Sequence, residues 1–113
     1  MNAITYDTVL AALARHIGAA RGVRADVLVM EITHRPSADH EERELRRIIA
    51  ALRQNGHHIC AHPNAGYYLA QTDAELNDAC NFLYERAMTS LRQIAAMKKI
   101  SLPDLRGQLH LPT

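Results

Sequence analysis

Apolar residues recur along the first half of the chain with the 3.6-residue period of amphipathic helices. Across residues 5–17, Tyr6, Leu10, Leu13 and Ile17 fall on one face, and Gly18 supplies a stop. Gly22 marks a break. A second, shorter helix over residues 24–32 presents Val27, Leu28 and Ile32. Residues 33–38 (THRPSA) read as a loop, because Pro36 disfavours a helical residue before it. Asp39 followed three residues later by Glu42 has the form of a capping box and opens a third helix. Leu45, Ile48, Ile49 and Leu52 then stand at i, i+3, i+4 and i+7, one buried stripe, and Asn55-Gly56 closes the helix.

The period changes to two over residues 57–62, with Ile59 and Ala61 on one face. Pro63-Asn64-Ala65-Gly66 has turn chemistry, with Gly66 suited to a left-handed position, and residues 67–71 (YYLAQ) return as a second strand. Thr72 and Glu75 repeat the capping-box pattern before a long helix with the stripe Leu76, Cys80, Leu83, Ala87, Leu91, Ile94 and Met97. Lys98 and Lys99 suit the negative end of its dipole, and Pro103 ends it nearby. The order predicts a mainly α fold with a small two-stranded β-hairpin. Its plan is a winged helix, three helices and a wing over residues 1–71, then the long helix over 72–102 and a tail over 103–113 without a firm signal.

A chain of 113 residues suits one domain, and its 48% hydrophobic content suffices for one core. With 4% aromatic residues and no Trp, that core must be aliphatic. Thirteen basic residues against twelve acidic give +1, so a nucleic-acid partner would need the positive charge gathered on one face. Cys60 and Cys80 lack CxxC spacing and read as reduced thiols. No apolar run approaches the roughly 18 residues of a membrane span, and the first residues lack the pattern of a secretory signal. A cytoplasmic protein is expected.

Residues 41–70 resemble a winged-helix module common in phage and prophage replication and regulatory proteins. The residues that carry the resemblance are Arg43, Leu45-Arg46, Ile48-Ile49, Leu52-Arg53, Gly56, Ile59-Cys60 and Gly66-Tyr67-Tyr68-Leu69-Ala70. It covers roughly a quarter of the chain closely. The resemblance implies that helices two and three form a helix-turn-helix, that the hairpin is the wing, and that the partner is double-stranded DNA. A transcriptional regulator or replication accessory factor is the expected role.

A helical wheel at about 100° per residue tests this against Glu41, Glu42 and Glu44, which crowd the start of the third helix. Opposite the stripe centred on Ile48 and Leu52 lie His40, Arg43, Arg47, Ala50 and Gln54. Arg46 and Arg53 share one flank with Glu42, Glu44 lies on the other, and Glu41 turns towards the buried side. Arg can pair with guanine and Gln with adenine in a major groove, and Ala50 permits close approach. Arg43, Arg47 and Gln54 are therefore the expected base contacts. Arg46, Arg53 and the wing tip, with His62, Asn64 and Tyr67, are the expected phosphate contacts. The alternative is a solvated surface helix laced by pairs such as Glu42–Arg46.

His57, His58, Cys60 and His62 raise the question of a metal. At about 3.3 Å per residue, positions four apart on a strand are roughly 13 Å apart and cannot share an ion, and no second ligand pair stands elsewhere. No metal or other cofactor is expected. There is no phosphate-binding Gly-rich loop, nucleophile elbow or HExxH, and Cys60 beside His58 or His62 lacks an orienting third group, so no enzyme is expected. The long helix would run some 40 Å. Its stripe Leu83, Ala87, Leu91, Ile94 and Met97 either folds back onto the chain or pairs with a second copy, and the near-heptad spacing favours a homodimer. The competing function is a protein-interaction adaptor or inhibitor that uses the same scaffold to grip a protein partner.

Overall fold

The computed structural model describes residues 3–108. The elements are α1 (Tyr6–Leu13), a 3₁₀ turn (Ala19–Arg21), α2 (Ala25–Thr33), α3 (Asp39–Gln54), β1 (Ile59–His62), β2 (Gly66–Leu69), α4 (Asp73–Lys98) and α5 (Leu102–Gln108). The chain divides into two compact units, Met1–Ala79 and Cys80–Thr113, and the divide falls inside α4. No described helix is long and apolar enough to cross a membrane.

In the first unit, Val9, Ala12 and Leu13 of α1, Leu28, Val29 and Ile32 of α2, and Leu45, Ile48, Ile49 and Leu52 of α3 form one buried aliphatic cluster with Val23 and Ile59. The stripe expected on α3 is buried in full. At α1 the expectation needs correction. Thr5 and Thr8 cap it reciprocally, but the helix ends at Leu13, and Ile17 is 45% exposed. The reason lies in the backbone, because the chain after α1 pairs with the hairpin instead of continuing helical bonds. The Leu69 N–H donates to the His16 carbonyl and the Gly18 N–H to the Leu69 carbonyl, both at 2.8 Å.

A second correction concerns the start of α3. The cap position belongs to Ala38, which has no side-chain bond, and Asp39 lies inside the first turn. Glu42 does not reach back to the cap, since its carboxylate accepts from the Ser37 hydroxyl at 2.7 Å. Asp39, Glu41 and Glu42 in that first turn complement the positive end of the helix dipole.

β1 and β2 pair antiparallel, with Ile59 opposite Leu69 and His62 opposite Gly66. Gly66 has φ of 81°, as the turn requires. The hairpin is covered on both faces at its root, where sequence alternation had left one face open. Ile59 enters the main core, while Cys60 and Tyr68 form a second buried cluster with Ala79 of α4. The first turns of α4 thus belong with the hairpin. The Glu75 N–H donates to Thr72 Oγ1 at 3.1 Å, half of the expected box. The Glu75 carboxylate instead accepts from the backbone N–H groups of Gln71 (2.8 Å) and Ala19 (2.9 Å).

In the second unit, α4 ends in a Schellman arrangement. Lys99 is left-handed (φ 56°), and the Ile100 N–H donates to the Ala95 carbonyl at 3.0 Å. A short helix, α5, follows where the sequence carries no firm signal. Ser101 caps it through the Asp104 N–H, and Pro103 sits in its first turn, where a missing N–H costs nothing. Among the described residues of this unit, Met88, Ala95 and Leu105 are buried.

The Glu75 clasp leads to a pH test. The two N–H donors hold its carboxyl below the usual range, Ala19 contributing most. A lowered folded value stabilises the fold above the ordinary carboxylate pKa, about 4.3, and that contribution is lost as pH falls below it. Glu75→Gln should therefore unfold more easily than wild type in urea at pH 7, with the gap closing as pH falls below about 4. A gap unchanged across that range would contradict the clasp.

Candidate nucleic-acid interface

Burial of Leu45, Ile48, Ile49 and Leu52 fixes the rotation of α3 about its axis, and the opposite residues follow. His40, Arg43, Arg47, Ala50 and Gln54 are all exposed. The expected outer strip is therefore formed as a continuous surface down one side of the helix.

The carboxylates beside this strip have partners. Glu41 is buried and pairs with Arg35, so its charge is held inside. Glu42 accepts from Ser37 and lies 3.8 Å from the Arg46 guanidinium, the i,i+4 pair anticipated from the sequence. Glu44 pairs with Arg47, whose Nε donates to Glu44 Oε2 at 3.0 Å. The Arg47 hydrogen bond holds the Glu44 carboxyl below its ordinary range, and Glu44 in turn raises Arg47. Both side chains of this pair remain in water, at 68% and 41% exposure, and exposed pairs exchange partners readily. Arg43 has no ion pair among the described residues.

Arg53 faces the hairpin. It is half-buried, and its Nε donates to the Ile59 carbonyl at 2.8 Å, which ties the end of α3 to the start of the hairpin. Nothing in the period of α3 marks this, because the acceptor is a backbone atom six residues on. Tyr6 anchors the same end. Its hydroxyl donates to the Ala51 carbonyl at 3.3 Å and accepts from the Asn55 amide.

At the hairpin tip, His62 and Asn64 are exposed, and His62 Nδ1 accepts the Asn64 N–H at 3.1 Å, which shapes the turn. Tyr67 does not belong to the tip. It is half-buried against the main core, and its backbone exchanges two hydrogen bonds with Val23, at 2.7 and 2.9 Å. Cys60 does not share an exposed face with His58 and His62, because it is buried beneath α4. Among the described residues no group of three or more His, Cys, Asp or Glu is placed to hold a metal ion.

On α4, Leu83 (41%), Ala87 and Met97 (76%) are exposed, whereas Leu91 and Ile94 are half-buried. The buried residues Met88 and Ala95 lie on a neighbouring face of that helix. The expected stripe is thus left largely uncovered.

Comparison with protein-family models, curated proteins and solved structures returns no match to this chain.

The geometry separates two arginines that the sequence had grouped. Arg53→Ala should lower the urea midpoint by loosening the hairpin, because it leaves the Ile59 carbonyl without its donor, at a cost of about 1–3 kcal/mol. Arg43→Ala should leave stability within about 0.5 kcal/mol of wild type. Equal stability of both variants would contradict the assignment of Arg53 as a strut.

Proposed function

We propose that this protein is a winged-helix DNA-binding protein whose third helix enters the major groove of a duplex. The observation that carries the reading is the exposed strip His40, Arg43, Arg47, Ala50 and Gln54 on a helix whose other side is fully committed to the core. The helix order supports it, as does the hairpin that follows α3 directly. So do the two isolated bridges to β2, at Ile17 and at Val23 on either side of the 3₁₀ turn, which hold the second edge of the hairpin. Arg43 and Gln54 would contact bases and Arg46 the phosphates, with His62 and Asn64 at the wing tip. Arg47 would join once it exchanges Glu44 for the duplex.

The role in transcription regulation or replication, in a phage or prophage, rests on the sequence resemblance alone. A homodimer through α4 belongs to the same reading, because Leu83, Ala87 and Met97 of the stripe would otherwise stay wet, and two copies would read two half-sites.

One observation favours a second reading, an adaptor that grips a protein partner. Asp39, Glu41, Glu42 and Glu44 on α3 balance Arg43, Arg46, Arg47 and Arg53, so that helix carries no net charge.

Gel-shift titration against genomic duplex fragments tests the DNA reading. Arg43→Ala should weaken binding about 5- to 150-fold, the worth of one bidentate base contact. Glu44→Gln should tighten it, since it frees Arg47 and removes a negative charge from the strip. Absence of wild-type binding at 50 mM salt, together with a stoichiometric protein partner on purification, would overturn the reading in favour of the adaptor.

Light scattering on the eluting protein tests the dimer. Wild type should show twice the chain mass and Leu83→Glu/Met97→Glu a single chain mass. A monomeric wild type at micromolar concentration would remove the dimer.

A further inference from the structure

We infer that Arg21 and Arg24, carried by the connection between α1 and α2, form a phosphate-binding rail beside the hairpin tip. This extends the DNA interface to a segment with no expected role, and it rests on the DNA-binding reading above.

The connection is laid along β2 as a strap. It is held at one end by the His16–Leu69 and Gly18–Leu69 hydrogen bonds and at the other by the pair between Val23 and Tyr67. Two glycines permit the contact at the tip. A Cβ on Gly22 would stand 1.9 Å from the Ala65 carbonyl oxygen, and one on Gly66 would stand 2.4 Å from the Val23 carbonyl oxygen. The strap and the turn therefore meet backbone to backbone, and Arg21 and Arg24 flank that meeting point in sequence. Both are exposed.

Charge distinguishes this region from α3. Segments 16–24 and 57–70 contain no Asp or Glu, while they carry Arg21, Arg24 and four histidines, His16, His57, His58 and His62. The carboxylates that reach the strap from neighbouring elements are engaged. Glu31 bonds His16 Nε2 at 2.8 Å and lies 3.5 Å from Arg15, and Glu75 accepts the Ala19 and Gln71 N–H groups. Asp26 pairs with Arg24 at 3.2 Å on the surface, and the Arg24 hydrogen bond holds its carboxyl below the ordinary range. Arg21 has no ion pair among the described residues. Around the two arginines, Ala19, Ala20, Gly22, Ala65 and Gly66 are small and Val23 is buried in the core, so a sugar-phosphate chain can approach closely.

Such contacts would be blind to sequence and sensitive to salt. Each neutralised phosphate adds about 0.9 to the slope of log K against log salt. Titrating a labelled specific duplex and a random duplex of equal length across a salt series, Arg21→Ala/Arg24→Ala should lower the slope by about 1.8 on both duplexes. The ratio between the duplexes should stay at its wild-type value, and Arg21→Lys/Arg24→Lys should restore most of the slope. Arg43→Ala should instead reduce the ratio. A double-alanine variant with wild-type circular dichroism, wild-type thermal midpoint and an unchanged slope would overturn the rail while leaving the α3 reading intact. If wild type binds neither duplex, the rail fails with the DNA reading itself.

Discussion

The structure of the first unit depends on the burial of one aliphatic stripe. Leu45, Ile48, Ile49 and Leu52 lock α3 against α1 and α2 with Ile59 at its end, and every other property of α3 follows from that rotation. At a typical worth of about 1.5–3 kcal/mol for each fully buried side chain, the stripe outweighs any surface pair on the same helix. The exposed side is therefore decided by the core and not by the charges it displays. Glu41, caught on the buried side of that rotation, is tolerated because Arg35 reaches it.

The hairpin is a second consequence. Arg53 holds the Ile59 carbonyl from α3, the strap of residues 16–23 bonds β2 from the other edge, and Glu75 clasps the end of β2 and the start of the strap from α4. A two-stranded hairpin alone is marginal in water. Here its root is held from three sides, and His62, Pro63 and Asn64 at the turn are exposed.

Much of this was legible in the chain because periodicity reports burial directly. The α3 stripe, its outer strip, the turn at Gly66 and the long helix all follow from spacing and turn chemistry. What was not legible came from contacts between segments distant in sequence. Ile17 continues the α1 stripe in period, yet backbone bonds to Leu69 pull it out of the helix. Asp39 has the identity of a cap, but the register of α3 starts one residue earlier. Cys60 alternates onto the polar side of β1, and only the arrival of Ala79 buries it. At α5, Ser101 is the cap and Pro103 stands in the first turn, so a proline that ends one helix also opens the next. At the candidate interface, the strip on α3 was visible and the roles of Arg53 and of the strap were not, since both rest on backbone acceptors that a side-chain pattern does not encode.

On the proposed DNA-binding function, a duplex occupies the water-facing side of α3. Titrating ¹⁵N-labelled protein with a bound DNA fragment and following the amide resonances tests it most directly. Shifts are expected at His40, Arg43, Arg47, Ala50 and Gln54 and around Asn64, with the buried stripe and α5 unmoved. Shifts confined to α4, or none on the outer side of α3 at saturating DNA, would contradict the account.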